Sequence, residues 1–145
     1  MTTIKASPQT VGGTGAGVLF HCPATETFLL LKRGPNGDQP GTWCCPGGGV
    51  EDHETIEEGA RRECEEEMQY SRGNPLQLIQ LHRDYQPDTG YTFHNHLALV
   101  PSEFHPILND EHTAYKWFKA NKLPDDLHPG LRRSLSAFRG RYGAA

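Results

Sequence analysis

The sequence predicts an α/β fold with a central mixed sheet. Apolar segments of strand length alternate with two stretches of helical periodicity, and glycine- or proline-containing turns separate them. The connections are short, which favours one layered assembly. The chain has 145 residues, and a single domain of that length buries roughly two thirds of its unfolded surface. We therefore expect one domain over residues 1–145, with 1–13 as a flexible or edge segment.

The first half of the chain predicts three strands that lead to a run of glycines. Residues 16–20 and 28–33 are suited to strands, with a turn at 23–27 between them. Residues 34–42 hold three glycines and two prolines and predict a surface loop. Residues 43–46 form a short, mostly apolar strand that leads to Gly47, Gly48 and Gly49, which we interpret as a turn before a helix.

The second half predicts a hairpin, a further strand and a terminal helix. Residues 76–85 alternate imperfectly between apolar and polar side chains, which indicates a strand with a bulge. A turn at 86–90 connects it to a partner strand at 91–100. A strand at 114–118 follows a loop. A helix then begins at Pro129, with Leu131, Leu135 and Phe138 on the face that packs on the sheet.

The helix between these halves has a recognisable start. Thr55 followed by Glu58 is a capping box, and we expect the helix to run from there to Gly73. Two Glu–Arg pairs at i, i+4 stabilise a helix, and we place both of their arginines, Arg61 and Arg62, on its outer face.

Three carboxylates share one stripe near the end of this helix: Glu63, Glu66 and Glu67. They repel one another and lie at the negative end of the helix dipole, and each effect costs a few tenths to about 1 kcal/mol. A hard divalent cation such as Mg²⁺ or Mn²⁺ would reverse that balance, because crowded oxygen ligands are what these ions bind. The alternative is a solvated acidic face.

The segment around these glutamates resembles the signature of the Nudix hydrolases. That signature is Gly, five residues, Glu, seven residues, Arg-Glu, an apolar residue, any residue, Glu-Glu, any residue, Gly and an apolar residue. The residues that match it are Gly48, Glu54, Arg62, Glu63, Cys64, Glu66, Glu67 and Tyr70. Gln69 stands in the position of the final glycine and is the one departure. The flanking segments LLLKRG and AYKWF are also similar to the family.

The resemblance implies an α/β/α sandwich, with the motif helix on one face of the sheet and the terminal helix on the other. It implies a metal-dependent hydrolase that cleaves a pyrophosphate bond in a nucleoside diphosphate linked to another group. The implied ligands of Mg²⁺ or Mn²⁺ are Gly48 through its carbonyl, Glu63, Glu66 and Glu67, with Glu54 binding or orienting the metals.

The resemblance also implies the catalytic residues: Glu63, Glu66, Glu67, Glu111 and Arg62. Arg62 would orient a motif glutamate through a bidentate ion pair. Either Glu63 or Glu111 would take the proton of the attacking water, and the sequence does not decide between them. Glu111 is the best placed acidic residue of its loop, with Asp110 and Glu103 as the alternatives.

The arrangement of Glu111, His112, Tyr115 and Trp117 is similar to that in Nudix enzymes acting on dinucleoside polyphosphates and nucleoside triphosphates. We therefore expect one of these substrates, with ADP-ribose or another nucleotide sugar as the alternative. The residues expected to bind substrate are Lys32 and Arg33 for phosphates and Tyr91 and Tyr115 for the base. A nucleotide-sensing module without catalysis is an alternative of another class, and the intact glutamates argue against it.

Composition argues against several other classes. The net charge is −4 without a basic block, which argues against tight general binding to nucleic acid. No apolar run approaches the roughly 18 residues of a membrane span, and the first residues have neither a signal-peptide core nor a basic leader. We expect a cytoplasmic protein, as a monomer or a homodimer.

The remaining metal-ligand residue types give weaker patterns. The four cysteines lack the spacing of a zinc site, and we interpret adjacent Cys44 and Cys45 as small buried residues in preference to a redox pair. His94 and His96 share one face of a strand. They would line a polar cleft or the surface, or bind a transition metal for which no third ligand is evident.

Overall fold

The structure is a computed structural model that describes residues 13–143. The expected flexible or edge segment 1–13 therefore lies, apart from Gly13, outside the described residues. The elements in chain order are β1 (Thr14–Cys22), β2 (Thr27–Arg33), β3 (Trp43–Cys44), β4 (Gly47–Gly49), α1 (Ile56–Met68), β5 (Ile79–Gln86), β6 (Tyr91–Leu99), β7 (His112–Lys119) and α2 (Pro129–Tyr142). No helix among residues 13–143 is long and apolar enough to cross a membrane.

The strands form one mixed sheet, as predicted. Its main path runs β3-β2-β1-β6-β5, with β4 paired to β1 and β7 paired to β2. Strands β1 and β6 are parallel, and the other pairs are antiparallel. The register between β5 and β6 shifts between Gln80 and His82, which confirms the expected bulge, although β5 begins at Ile79 and not at residue 76.

A helix layer lies on each face of this sheet. Alternate residues of β1 and β2 point to opposite faces, and they divide the core in two. Val18 and Leu31 belong to the apolar cluster that α1 covers, together with Ala60 of that helix. Leu30 belongs to the cluster that α2 covers with Leu135. The expected α/β/α sandwich is therefore confirmed.

The three glycines at 47–49 form a strand, so the predicted glycine turn is wrong. Strand β4 runs antiparallel to β1, with Gly48 opposite Ala16. A Cβ on Gly47 would lie 2.7 Å from the Ala16 carbonyl oxygen, so glycine is needed here for close strand approach and not for chain reversal.

Helix α1 begins where the capping box predicts but ends at Met68, so the expected extension to Gly73 is wrong. Gln69 follows in the left-handed conformation, with φ 55° and ψ 32°, which costs a residue other than glycine roughly 1–2 kcal/mol. Its N–H donates to the Glu65 carbonyl at 2.9 Å. Gln69 thus adopts the backbone conformation for which the motif has glycine.

Candidate active site

Strand β4 forms the floor of the candidate site because it has no side chains. A Cβ built on Gly48 would lie 2.6 Å from the Glu63 carboxyl carbon, closer than Cβ atoms approach other heavy atoms in proteins. The N–H of Gly47 donates to Oε1 of Glu67 at 3.1 Å. The missing side chains therefore let two carboxylates of α1 lie directly against a backbone strand.

The start of α1 sets the rotation of the helix that brings these carboxylates to β4. The Thr55 hydroxyl accepts from the Glu58 N–H at 3.1 Å, and the Glu58 carboxylate accepts from the Thr55 N–H at 2.9 Å. Both halves of the predicted capping box are present. On the outer face, Glu57 pairs with Arg61 at 3.0 Å, as predicted.

Arg62 is at the centre of the site and is only 7% exposed, so its predicted position on the outer face is wrong. Its guanidinium donates to both oxygens of Glu54, from Nε at 2.6 Å and from Nη2 at 3.0 Å. Nη1 donates to Glu63 and Glu66, both at 3.1 Å, and Nη2 also donates to the Gly49 carbonyl at 2.8 Å. One arginine thus contacts three carboxylates and the floor strand.

The bidentate pair with Arg62 lowers the pKa of Glu54, because its hydrogen bonds stabilise the charged carboxylate. The same bonds raise the pKa of Arg62. Both groups are therefore ionised at neutral pH. Their contact is bidentate, as expected for the ion pair that the motif resemblance implies for Arg62.

The three helix carboxylates differ in exposure. Glu63 is 0% and Glu67 is 1% exposed, whereas the Glu66 side chain is 39% exposed. Two of the three are therefore buried beside the floor strand, which does not fit a solvated acidic face. The site presents one open carboxylate and two enclosed ones.

This donor set fits a hard divalent cation. The carboxylates of Glu54, Glu63 and Glu66 meet on the guanidinium of Arg62, and the carboxylate of Glu67 lies against the N–H of Gly47. Carboxylate and carbonyl oxygens in one place are the ligands of magnesium and manganese. Glu51, His53 and Glu54 also converge, but two of the three are exposed.

The segment that carries Glu111 lies at the end of α1. The N–H of Ile107 donates to the Met68 carbonyl at 3.1 Å, and the N–H of Asn109 approaches the Glu67 carbonyl at 3.4 Å. The Glu111 carbonyl accepts from the Gly34 N–H at 3.0 Å, and the residue is exposed. Glu111 is therefore held between the end of β2 and the last turn of the motif helix.

The Cys44 thiol is buried near both Glu67 of α1 and Glu111. Burial raises its pKa to about 12; the Arg33 guanidinium opposes this shift, and the charges of Glu67 and Glu111 act in the same direction as burial. Its sulfur lies 3.5 Å from Nε2 of His112. Cys44 is buried as predicted, and at neutral pH its thiol is protonated and unreactive.

The residues expected to bind phosphates occupy different faces of the sheet. Arg33 lies on the side of α1, with Nη1 4.0 Å from the Cys44 sulfur and Nε donating to the Asp38 carbonyl at 2.6 Å. Lys32 lies toward the other face, where its Nζ is 6.0 Å from the centre of the Trp43 ring, which packs against the cluster that α2 covers. The structure therefore brings Arg33 toward the carboxylates but not Lys32.

The two tyrosines also differ. Tyr91 is 4% exposed, and burial, with the Glu63 charge, raises its pKa to about 12. Its ring is enclosed and is not available to a base. Tyr115 is partly exposed, and its hydroxyl lies 2.6 Å from Nδ1 of His105.

In the predicted histidine pair, a ring nitrogen of His96 lies 3.0 Å from the Gly17 carbonyl.

Two contacts of the site were not anticipated from the sequence: the Gly49 carbonyl on Arg62 and the side chain of Asn109, whose Oδ1 accepts from the Glu111 N–H at 3.0 Å. Nothing in the sequence identifies the first, because it depends on the pairing of β4. The second has a local signal, since the side-chain oxygen of an asparagine often accepts from the backbone N–H two residues later.

Comparisons with known proteins match most of the described chain. The family model described as NUDIX domain matches residues 13–138. The nucleoside triphosphatase NudI of Klebsiella pneumoniae (strain 342) is 32% identical over 133 residues, which cover 79% of this chain and 92% of that protein.

Two solved structures are similar over most of the chain. The MutT NUDIX hydrolase from Burkholderia pseudomallei has a TM-score of 0.68 at 26% identity, over 86% of this chain and 96% of that chain. The Nudix hydrolase RenU from M. smegmatis has a TM-score of 0.71 at 25% identity, over 90% of this chain and 84% of that chain.

Proposed function

The chain belongs to the Nudix hydrolase family and is a pyrophosphohydrolase, and on this premise we propose that it hydrolyses nucleoside triphosphates or dinucleoside polyphosphates with Mg²⁺ or Mn²⁺. The observation that supports the metal dependence most directly is the contact of Arg62 with three carboxylates beside a glycine floor. Carboxylate oxygens gathered in one place are ligands that Mg²⁺ and Mn²⁺ bind.

The proposed metal ligands are the carboxylates of Glu63, Glu66 and Glu67 and the Gly48 carbonyl, with Glu54 oriented beside them by Arg62. When bound, divalent cations would neutralise phosphate oxygens and lower the pKa of a water. Arg62 supports this set by holding Glu54, Glu63 and Glu66 in one orientation. Its own role is to position these groups and not to contact the substrate.

The proposed reaction is attack of a water oxygen on a phosphorus of the pyrophosphate linkage. The bond from that phosphorus to the bridging oxygen breaks, and the leaving phosphate departs with the bridging oxygen. The proton of the water passes to a carboxylate. Because the reacting atoms are charged and close together, the contribution of the protein is mainly positioning and electrostatic stabilisation.

Glu111 is the proposed general base. Glu63 is fully buried, its carboxylate accepts a hydrogen bond from Arg62 at 3.1 Å, and it is already proposed as a metal ligand. Glu111 is exposed and lies on the segment that contacts the end of α1. A base must reach the water and then release the proton to solvent, and the position of Glu111 suits both steps.

Two observations favour nucleotide polyphosphates as substrates. Arg33 lies on the same side as the carboxylates and ends in a guanidinium that can bind phosphate in a bidentate manner. The name of the Klebsiella relative describes a nucleoside triphosphatase. Tyr115 is the proposed contact for the base, since its ring is partly exposed on that side. Lys32 and Tyr91 are not proposed to bind substrate.

A nucleotide panel tests this function. The purified protein is incubated with nucleoside triphosphates, diadenosine polyphosphates and ADP-ribose, each with Mg²⁺ or Mn²⁺, and products are resolved by chromatography. We expect a nucleoside monophosphate and pyrophosphate from a triphosphate, or two mononucleotides from a dinucleoside polyphosphate. Cleavage of ADP-ribose alone would assign the alternative substrate class. Tight binding without any cleavage would assign a sensor.

A further inference from the structure

Asn109 connects the loop that carries Glu111 to the last turn of α1, which carries Glu67. Its side-chain Oδ1 accepts from the Glu111 N–H at 3.0 Å, and its own N–H approaches the Glu67 carbonyl at 3.4 Å. One residue therefore contacts the backbone of the proposed base and the backbone of a proposed metal ligand. These two carboxylates are otherwise distant in sequence and belong to different elements.

We propose that Asn109 is a positioning residue for Glu111: it fixes the backbone of Glu111 relative to the last turn of α1. The inference rests on the proposed function, in which Glu111 acts as the base. It concerns a residue outside the motif and without a charge of its own.

The neighbouring backbone contacts hold the carbonyl side of Glu111, whereas Asn109 holds its N–H side. The Glu111 carbonyl accepts from the Gly34 N–H at 3.0 Å, and the next residue, His112, lies 3.5 Å from the Cys44 sulfur. Both contacts hold the side of Glu111 that continues into β7. The Asn109 side chain holds the N–H side, which is the side joined to the segment beside α1.

The arrangement also explains why an amide side chain suits this position. A short oxygen acceptor can bond the N–H two residues later without distorting the chain. Alanine has no acceptor, so the Glu111 N–H would exchange this bond for water and the segment could rotate. A displacement of about 1 Å can reduce turnover by on the order of 10²-fold when a base must meet a bound water.

The test compares Asn109→Ala, Asn109→Asp and Glu111→Gln with the wild type at saturating metal. We expect Asn109→Ala to lower kcat by about tenfold, equivalent to about 1.4 kcal/mol of transition-state stabilisation, with KM nearly unchanged because Arg33 and Tyr115 remain. Asn109→Asp keeps an oxygen acceptor and should recover most of the turnover. A matched control is Asn74→Ala, which removes the same kind of bond, from the Leu76 N–H to Asn74 Oδ1 at 2.9 Å, in another loop.

The pH dependence of kcat separates positioning from general loss of stability. If Asn109 acts through Glu111, Asn109→Ala should alter the limb of the pH profile that Glu111→Gln abolishes. If Asn109→Ala keeps the wild-type kcat and pH profile while Glu111→Gln loses turnover, the role of Asn109 is overturned and the proposed base stands. Wild-type activity in Glu111→Gln would instead overturn the proposed base. Equal losses in Asn109→Ala and Asn109→Asp would also count against the role of the acceptor.

Discussion

Arg62 and Glu54 form a bidentate ion pair, with Nε to Oε2 at 2.6 Å and Nη2 to Oε1 at 3.0 Å. Both side chains are largely enclosed, at 8% and 7% exposure. The pair joins the loop before α1 to the middle of that helix. Through its remaining N–H groups, the same guanidinium also holds Glu63 and Glu66.

Arg62→Ala should destabilise the protein strongly in the absence of metal. It leaves enclosed carboxylates without their cation, and breaking a buried ion pair costs on the order of 3 kcal/mol. Urea unfolding with and without Mn²⁺ measures the effect, and Mn²⁺ should restore part of the free energy of unfolding. Arg72→Ala is the control, because the Arg72–Glu65 pair is exposed and its loss should leave that free energy near the wild-type value. Equal free energies of unfolding for Arg62→Ala and Arg72→Ala would contradict the stabilising role of the Arg62 ion pairs.

Gln69→Gly should stabilise the protein by about 1 kcal/mol, because glycine adopts the left-handed conformation without steric strain. The position has φ 55°, and the Gln69 side chain is exposed. Thermal unfolding monitored by circular dichroism measures the shift. Gln69→Ala, which keeps the strain, should give no such gain. A loss of stability in Gln69→Gly would mean that the glutamine side chain contributes more than its backbone strain removes.

The pH dependence of stability should include a contribution from His128, which precedes α2. Its Nδ1 accepts from the Gly130 N–H at 2.9 Å, so this nitrogen must be unprotonated. Burial lowers the pKa of His128, Arg33 and Arg133 lower it further, and Asp38 opposes them.

Because the folded pKa of His128 lies below the ordinary value of about 6.5, the unfolded chain binds the proton first as the pH falls. Stability from His128 is therefore complete above about pH 6.5 and is lost progressively below it, down to the folded pKa. Denaturant unfolding at pH 7.5 and pH 5 should show a smaller loss for His128→Asn, which keeps a capping oxygen. An equal loss in both proteins would exclude this contribution.

Local sequence signals predicted the parts of the site that depend on neighbouring residues. The capping box at Thr55 and Glu58 predicted the rotation of α1, and helical spacing predicted that Glu63 and Glu67 share a face. Both are determined within a few residues of the chain. The same signals gave the β1, β2 and β6 strands and the start of α2.

Long-range pairing determined what the sequence did not predict. Gly48 is extended because it pairs with Ala16, and Arg62 is buried because that strand and the loop at Glu54 close over it. Helical periodicity alone placed Arg62 outside. Lys32 and Arg33 lie on opposite faces of the sheet. Their neighbouring positions on a strand allow this, but the sequence does not tell which face carries the site.

The carboxylates beside Arg62 are proposed to bind the divalent cations required for hydrolysis. The most direct measurement is Mn²⁺ titration with parallel turnover assays of the wild type, Glu67→Gln and Glu65→Gln. Glu65 lies on the same helix but pairs with Arg72 outside the site. We predict that Glu67→Gln weakens Mn²⁺ binding and lowers turnover by on the order of 10²-fold, while Glu65→Gln behaves as the wild type. Full Mn²⁺ affinity and full turnover in folded Glu67→Gln would contradict the claim.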